Sequence, residues 1–183
     1  VVTFVGSPDD VIDAAFKGIQ KATEVIDMSL HSGAHARMGA TDVCPLVPIF
    51  NTSMEECVQY SKILAERVGN ELNIPIFLYE HSATSQERRN LAVIRSGEFE
   101  GMIEKLSQPY WKPDYGPAKR HESAGVTAIG ARNFLIAYNI NLNTQDKRVA
   151  TDIAFDIREQ GRNKRDKKGK FLRDKEGNPI KSP

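Results

Sequence analysis

Ser53-Met54-Glu55-Glu56-Cys57-Val58, continuing to Leu72 and then into Ile74-Pro75-Ile76-Phe77-Leu78-Tyr79, is the stretch on which the fold turns. Ser53 with Glu56 three residues on is a capping box, in which a hydroxyl and a carboxylate satisfy backbone N–H groups that a helix start would leave unpaired. Behind it Met54, Cys57, Val58, Ile63 or Leu64, Val68 and Leu72 recur at helical spacing and give the helix one apolar face. Ile74 to Tyr79 is an apolar run of strand length, and Pro75, which has no N–H to donate, places it at a sheet edge. Upstream, Val43 to Phe50 reads as another apolar strand, with Pro45 and Pro48 marking it as edge-type or irregular.

The same reasoning extends to both ends. Val1 to Val5 is β-branched and aromatic and predicts a strand ended by Gly6. Ser7-Pro8-Asp9-Asp10 supplies an N-cap, a first-turn proline and first-turn acids. The helix it opens turns Val11, Ile12, Ala15, Phe16, Ile19, Ala22 and Ile26 to one side. Ser29 to Thr41 is a Gly/His-rich loop. Gln86 to Ser107 is helical in pattern with a break near Gly97, and Gln108 to Gly125 is too dense in Pro and Gly for a regular element. Val126 to Leu142 predicts a long strand region with a bend or hand-over at Gly130, and Asp146 to Gln160 a last helix carrying Val149, Ile153 and Ile157 on one face. Strands alternating with helices argue for an α/β (α+β) fold, a mixed β-sheet layered with helices.

Composition narrows the classes. The 183 residues are 40% hydrophobic and 27% charged, with no apolar run of membrane-spanning length. Val1 to Val5 carries no basic n-region of a secretory signal, and a start inside an apolar run without Met points to a fragment. Two cysteines, Cys44 and Cys57, in apolar settings are expected to be buried, reduced thiols of a cytoplasmic protein. The net charge of +1 hides an asymmetry: residues 161–183 hold nine Lys or Arg against three acids, +6, which leaves −5 on residues 1–160. The basic run lacks interleaved aromatics apart from Phe171 and is expected to be a solvated loop rather than a nucleic-acid or membrane contact.

Chemistry has few candidates. No Walker loop, dinucleotide fingerprint, nucleophile elbow or zinc-type cysteine spacing is present. His31 and His35 are four apart, a metal-compatible spacing on a helix, but Gly33 and Gly39 and the want of a third ligand argue against a metal. A loop histidine beside Arg37 suits general base work, because its ordinary pKa near ~6.5 allows proton transfer at neutral pH. The alternative is a plain solvent-exposed histidine. Tyr110, Trp111 and Tyr115 together with Lys119, Arg120 and His121 offer stacking faces and anion partners for a flat ligand bearing carboxylates, or else simply pin their loop to the body.

Several stretches then match one family. Ile26-Asp27-Met28-Ser29-Leu30-His31-Ser32-Gly33-Ala34-His35-Ala36-Arg37-Met38-Gly39-Ala40-Thr41-Asp42-Val43-Cys44-Pro45 resembles the signature of the glutamate formimidoyltransferase (formiminotransferase) family, an activity also found as one half of formimidoyltransferase-cyclodeaminase. Thr3-Phe4-Val5-Gly6, Ile76–Glu80, Ile94–Glu100, Trp111–Pro117, Gly130–Leu142 and Arg158–Arg162 resemble further family stretches in order along the chain.

The resemblance implies residues 1–131 as most of an N-terminal subdomain without its leading segment, and 132–183 as the beginning of a C-terminal one with the basic loop 161–183. It implies transfer of a formimino group from N-formimino-L-glutamate to N5 of tetrahydrofolate, a step of histidine degradation and one-carbon metabolism. The catalytic histidine falls on His35 and folate binding on Gly116-Pro117-Ala118-Lys119-Arg120-His121-Glu122-Ser123-Ala124-Gly125. Tetrahydrofolate is then a co-substrate, no metal is required, and the full-length form is expected to be a homodimer. Arg37 and Arg132 are our added candidates for holding a substrate carboxylate. The family usually carries Glu or Gln before the catalytic histidine and Pro after it, where this chain has Ala34 and Ala36. That departure keeps a second expectation open, a folate-binding relative with only the N-terminal subdomain and weak turnover.

Overall fold

The structure is a computed structural model that describes residues 1–137, 139–158 and 161–181. It divides into two units, Val1–Leu135 and Ile136–Pro183.

The first unit is built on three parallel strands, β1 (Val43–Leu46), β2 (Ile76–Leu78) and β3 (Thr127–Ala131), in the order β1-β3-β2. The helices are α1 (Pro8–Val25), α2 (Met54–Glu71), α3 (Leu91–Arg95) and α4 (Glu98–Ser107). The topology dictates where they pack. From β1 to β2 the chain crosses the sheet in one direction through α2, and from β2 to β3 it returns through α3 and α4. Right-handed crossovers in opposite directions put their helices on opposite faces. The two cores follow this arrangement. Ile76, Leu78 and Ile129 pack with Ile12, Phe16, Ile19, Leu64 and Val68 of α1 and α2. Phe77, Tyr79 and Ala128 pack with Ile94, Met102 and Leu106 of α3 and α4. Strand period two explains the division, since neighbouring residues of a strand point to opposite faces.

Pro45 lies in outer strand β1 and Pro75 immediately precedes outer strand β2, where a missing donor is tolerated. The outer side of β2 is not left open: Ile76 N–H donates to the Tyr115 carbonyl, Asp114 N–H to that of Ile76, and Leu78 N–H to the Asp114 carboxylate at 2.8 Å. Inside the sheet end, Ala131 N–H donates to Ser82 Oγ, which lies 2.7 Å from Ser61 Oγ. Because the Ser61 hydroxyl donates to the Val58 carbonyl, the Ser82 proton must go to Ser61, and the buried polar chain is complete.

The capping box at Ser53 forms with both of its hydrogen bonds. Three expectations are corrected. Val1–Val5 is exposed and unpaired because no strand lies alongside it, and β propensity alone does not make a strand. Gln86 to Ser107 does break at Gly97, as expected: a single helical turn at Glu87–Arg89 and α3 come before it and α4 after, with Gly97 at φ +91°. The strand region from Val126 shrinks to β3: among the described residues from Arg132 to Leu142 none is in a strand. Gly130 is not a bend but a contact point in mid-strand, where a Cβ would come 2.3 Å from the Tyr79 carbonyl oxygen.

The second unit holds α5 (Lys147–Ile157), capped by Asp146 accepting from Arg148 N–H. The expected helix end at Gln160 lies outside the described residues. Its basic segment, expected as a solvated loop, is largely exposed and is folded into turns. Arg165-Asp166-Lys167-Lys168-Gly169 and Arg173-Asp174-Lys175-Glu176-Gly177 are two copies of one turn, eight residues apart. In each the aspartate Oδ1 accepts two backbone N–H groups and the arginine donates to the glycine carbonyl. Antiparallel bridges Asn163–Lys181, Arg165–Phe171 and Arg173–Pro179 join them into a small meander.

Candidate functional site

The two loops that carry most of the candidate residues precede β1 and β3, so both lie at the same end of the parallel strands. The first begins after the helical turn Met28–Leu30, whose N-terminus Asp27 caps by accepting from Ser29 N–H. His31 to Ala36 is exposed, and His35 lies near its middle. The chain is recaptured at Met38, which is fully buried and whose N–H donates to Asp42 Oδ1 at 2.8 Å. Asp42 is in turn ion-paired with Arg95 at the end of α3.

The second loop runs from Gly116 to Gly125 and is exposed through Lys119. Its far end is a tight turn: His121 and Gly125 exchange backbone hydrogen bonds, and His121 Nδ1 accepts from Ala124 N–H at 3.1 Å. That hydrogen bond places the proton of a neutral His121 on Nε2.

The loops are stitched together. Ala40 N–H donates to the Ala124 carbonyl at 2.9 Å and Val126 N–H to that of Met38 at 3.0 Å, around a bridge between Gly39 and Gly125. Glycine is required at both points. A Cβ on Gly39 would lie 2.1 Å from the Val126 carbonyl oxygen, and one on Gly125, whose φ is +73°, 2.2 Å from that of Met38. Met28 N–H adds a bond to the Ser123 carbonyl at 2.8 Å.

The first turn of α4 anchors both loops. Phe99 N–H donates to the Arg37 carbonyl, and the Arg37 guanidinium reaches Glu98 at 3.0 Å and Glu100 at 2.7 Å. From the other loop, Arg120 donates to the Phe99 carbonyl and lies 3.8 Å above the Phe99 ring. The Arg37 hydrogen bonds hold the Glu100 carboxyl below its ordinary range, and the same contacts raise Arg37.

The candidates thus fall into two groups. His35, Arg37, Lys119, Arg120 and His121 belong to the joined loops. Arg132 follows β3 at the other end of the strand, its N–H bonded to the Leu46 carbonyl and its Nε buried without a hydrogen-bond partner. The aromatic residues are not free stacking faces. Trp111 meets Phe77 edge-on at 5.8 Å and carries the Lys105 ammonium 4.0 Å over its ring, Tyr110 donates to Glu87, and Tyr115 packs on the α1–α2 core. Half-buried Trp111 and Tyr115 pin the loop through their apolar area, while exposed Tyr110 is held by its edge contact with Trp111 and its bond to Glu87. Burial also pushes the Cys44 thiol up to about 11 and raises Cys57, so neither is a ready nucleophile. Among the described residues no three or more His, Cys, Asp or Glu side chains converge to hold a metal ion.

Glu98 and Glu100 were not readable as site residues: acids in a first helical turn ordinarily signify only a favourable dipole. Nothing in their spacing shows a partner some 60 positions earlier.

Comparison with known proteins identifies the family. The profile of the formiminotransferase domain, N-terminal subdomain, matches residues 1–132, and that of the formiminotransferase domain matches residues 137–176. A glutamate formimidoyltransferase of Streptococcus pyogenes serotype M1 is 55% identical over 161 residues, covering 88% of this chain and 54% of that protein. One from Thermoplasma acidophilum is 48% identical over 160 residues, covering 86% of this chain and 52% of that protein. A formimidoyltransferase-cyclodeaminase of Dictyostelium discoideum is 50% identical over 162 residues, 88% of this chain and 30% of that protein. The chain spans about half the length of the two transferases. With its N-terminal subdomain profile covering most of the sequence and identities near one half, this chain belongs to the formiminotransferase family.

Proposed function

We propose that the protein carrying this chain transfers the formimino group of N-formimino-L-glutamate to N5 of tetrahydrofolate, with His35 as proton acceptor and Gly116–Gly125 along the folate. The observation that supports it most is the stitching of the His35 loop to the Gly116–Gly125 loop at Gly39 and Gly125, some 85 residues apart in sequence. The names of the relatives, glutamate formimidoyltransferase, support formimidoyl transfer involving glutamate.

Attack of N5 on the formimino carbon creates a tetrahedral centre and leaves an excess proton on N5. Neutral His35 accepts that proton, and the resulting imidazolium returns one to the departing glutamate nitrogen as the carbon–nitrogen bond breaks. His35 is exposed on a loop held at both ends and is open to a substrate. Lys119 is exposed in the second loop, where its charge would attract the carboxylates of either substrate. Arg37 is already engaged by two protein carboxylates, so a direct substrate contact requires it to leave them. Arg132 stands at the opposite strand end and serves a substrate carboxylate only if the substrate extends along the strand direction.

In this reading the reaction belongs to histidine degradation in the cytoplasm, by a homodimeric full-length enzyme using no metal. The test is tetrahydrofolate-dependent consumption of formiminoglutamate by the whole protein. His35→Ala should lower kcat by about 100-fold or more, the scale of a lost general base. Retained turnover in that variant would remove His35 from the chemistry; folate binding without any turnover in the unsubstituted protein would favour the binding relative instead.

A further inference from the structure

The Arg37 guanidinium does more than form a surface pair. One nitrogen donates to the His31 carbonyl at 2.6 Å and to Glu100 Oε1 at 2.7 Å, and the other to Glu98 Oε2 at 3.0 Å and Glu100 Oε2 at 3.2 Å. The contact to His31 closes the segment 31–37 into a ring through its own side chain, and His35 is a member of that ring. The contacts to Glu98 and Glu100 then fasten the ring to α4. The Arg37 side chain is only 18% exposed although both carboxylates lie near the surface.

The intervening backbone has little rigidity of its own. Gly33, Ala34 and Ala36 impose no restriction beyond that of any small residue, and a Cβ on Gly33 would meet nothing within 4 Å. His35 is exposed, and the guanidinium fork ties its loop down, because its planar donors suit one geometry for two carboxylates and a carbonyl at once.

We propose that Glu98 and Glu100 are positioning residues that act through Arg37 to hold the His35 loop in its productive conformation. The proposal rests on His35 being the proton acceptor. It assigns Arg37 to the protein rather than to the substrate.

The experiment is steady-state kinetics of the whole protein with formiminoglutamate and tetrahydrofolate, for Glu98→Gln, Glu100→Gln, the two combined, Arg37→Met and Arg37→Lys, alongside His35→Ala. Loss of the clamp should lower kcat by about 10- to 100-fold, the cost of misplacing a reacting group by an ångström or so, with both KM values within about threefold. Arg37→Met added to the double glutamine variant should lower kcat no further, because the groups act as one unit. Arg37→Lys should recover part of kcat, since an ammonium keeps the charge and reaches one partner but not all three. The glutamine variants keep side-chain size and carry the test even if Arg37→Met fails to fold.

Unchanged kcat in the double glutamine variant, with His35→Ala inactive, overturns the positioning role and leaves the proposed reaction standing. A raised KM for formiminoglutamate at unchanged kcat in Arg37→Met also overturns it, placing Arg37 on the substrate. Full turnover in His35→Ala overturns the reading of the reaction and the positioning role with it.

Discussion

Gly39→Ala should separate the two loops that form the candidate site, and the structure sets the size of the effect. The new Cβ would lie 2.1 Å from the Val126 carbonyl oxygen and 3.0 Å from that of Ala124. Both oxygens are backbone and cannot rotate away. Relief requires the strands of chain to part by about 1 Å, which overpacked sites resist at a cost of about 1–3 kcal/mol. Parting also strains the bonds from Ala40 to Ala124 and from Val126 to Met38, each worth about 1 kcal/mol. The sum is about 3–5 kcal/mol. With a urea dependence of about 2 kcal/mol/M, the unfolding midpoint should fall by roughly 1.5–2.5 M. Gly33→Ala, in the same loop but with nothing within 4 Å of its Cβ, is the control and should stay within about 0.5 kcal/mol. The readouts are urea unfolding and tetrahydrofolate binding by calorimetry. If Gly39→Ala proves as stable as Gly33→Ala and binds folate equally well, the close approach of the two loops is wrong.

Two further outcomes follow from charged groups. Asp114→Ala should cost about 3–5 kcal/mol, because it leaves the Arg88 guanidinium buried without its carboxylate and removes the acceptor for Leu78 N–H; urea unfolding measures it, and a loss under 1 kcal/mol would refute the buried pairing. For Glu100, whose pKa is lowered by its bonds from Arg37, the linked stabilisation is complete above the ordinary value of 4.5 and is lost as pH falls through the lowered folded value. Carboxyl NMR titration should place its midpoint below 4.5 and Arg37→Met should return it towards 4.5; a midpoint at or above 4.5 in the unsubstituted protein would show that the clamp does not form.

What the sequence made legible was local chemistry. The Ser53–Glu56 box, the proline-marked outer strands and the apolar faces of α1 and α2 are fixed by neighbours within a few positions, and each forms. Val1–Val5 shows the limit: the same β-branched composition that reads as a strand stays exposed, because a strand exists only where another chain segment supplies its hydrogen bonds. The tandem Arg-Asp-Lys turns near the C-terminus show a subtler one, since charge counting there concealed a repeat in which aspartate and glycine, not lysine, decide the backbone.

The candidate site divides along the same line. His35 and the Gly116–Gly125 stretch were legible through their likeness to a family, whereas their joining depends on contacts between loops some 85 residues apart that no periodicity encodes. The first turn of α4 makes the point sharpest. Glu98 and Glu100 look in sequence like dipole-complementing acids, yet with Phe99 between them they receive Arg37 from one loop and Arg120 from the other. Within this one turn the Phe99 N–H and the two carboxylates take up one loop and the Phe99 carbonyl the other, so a single turn holds both. If that hold defines where folate meets His35, the surface acids of α4 are as much a part of the site as the histidine they never touch.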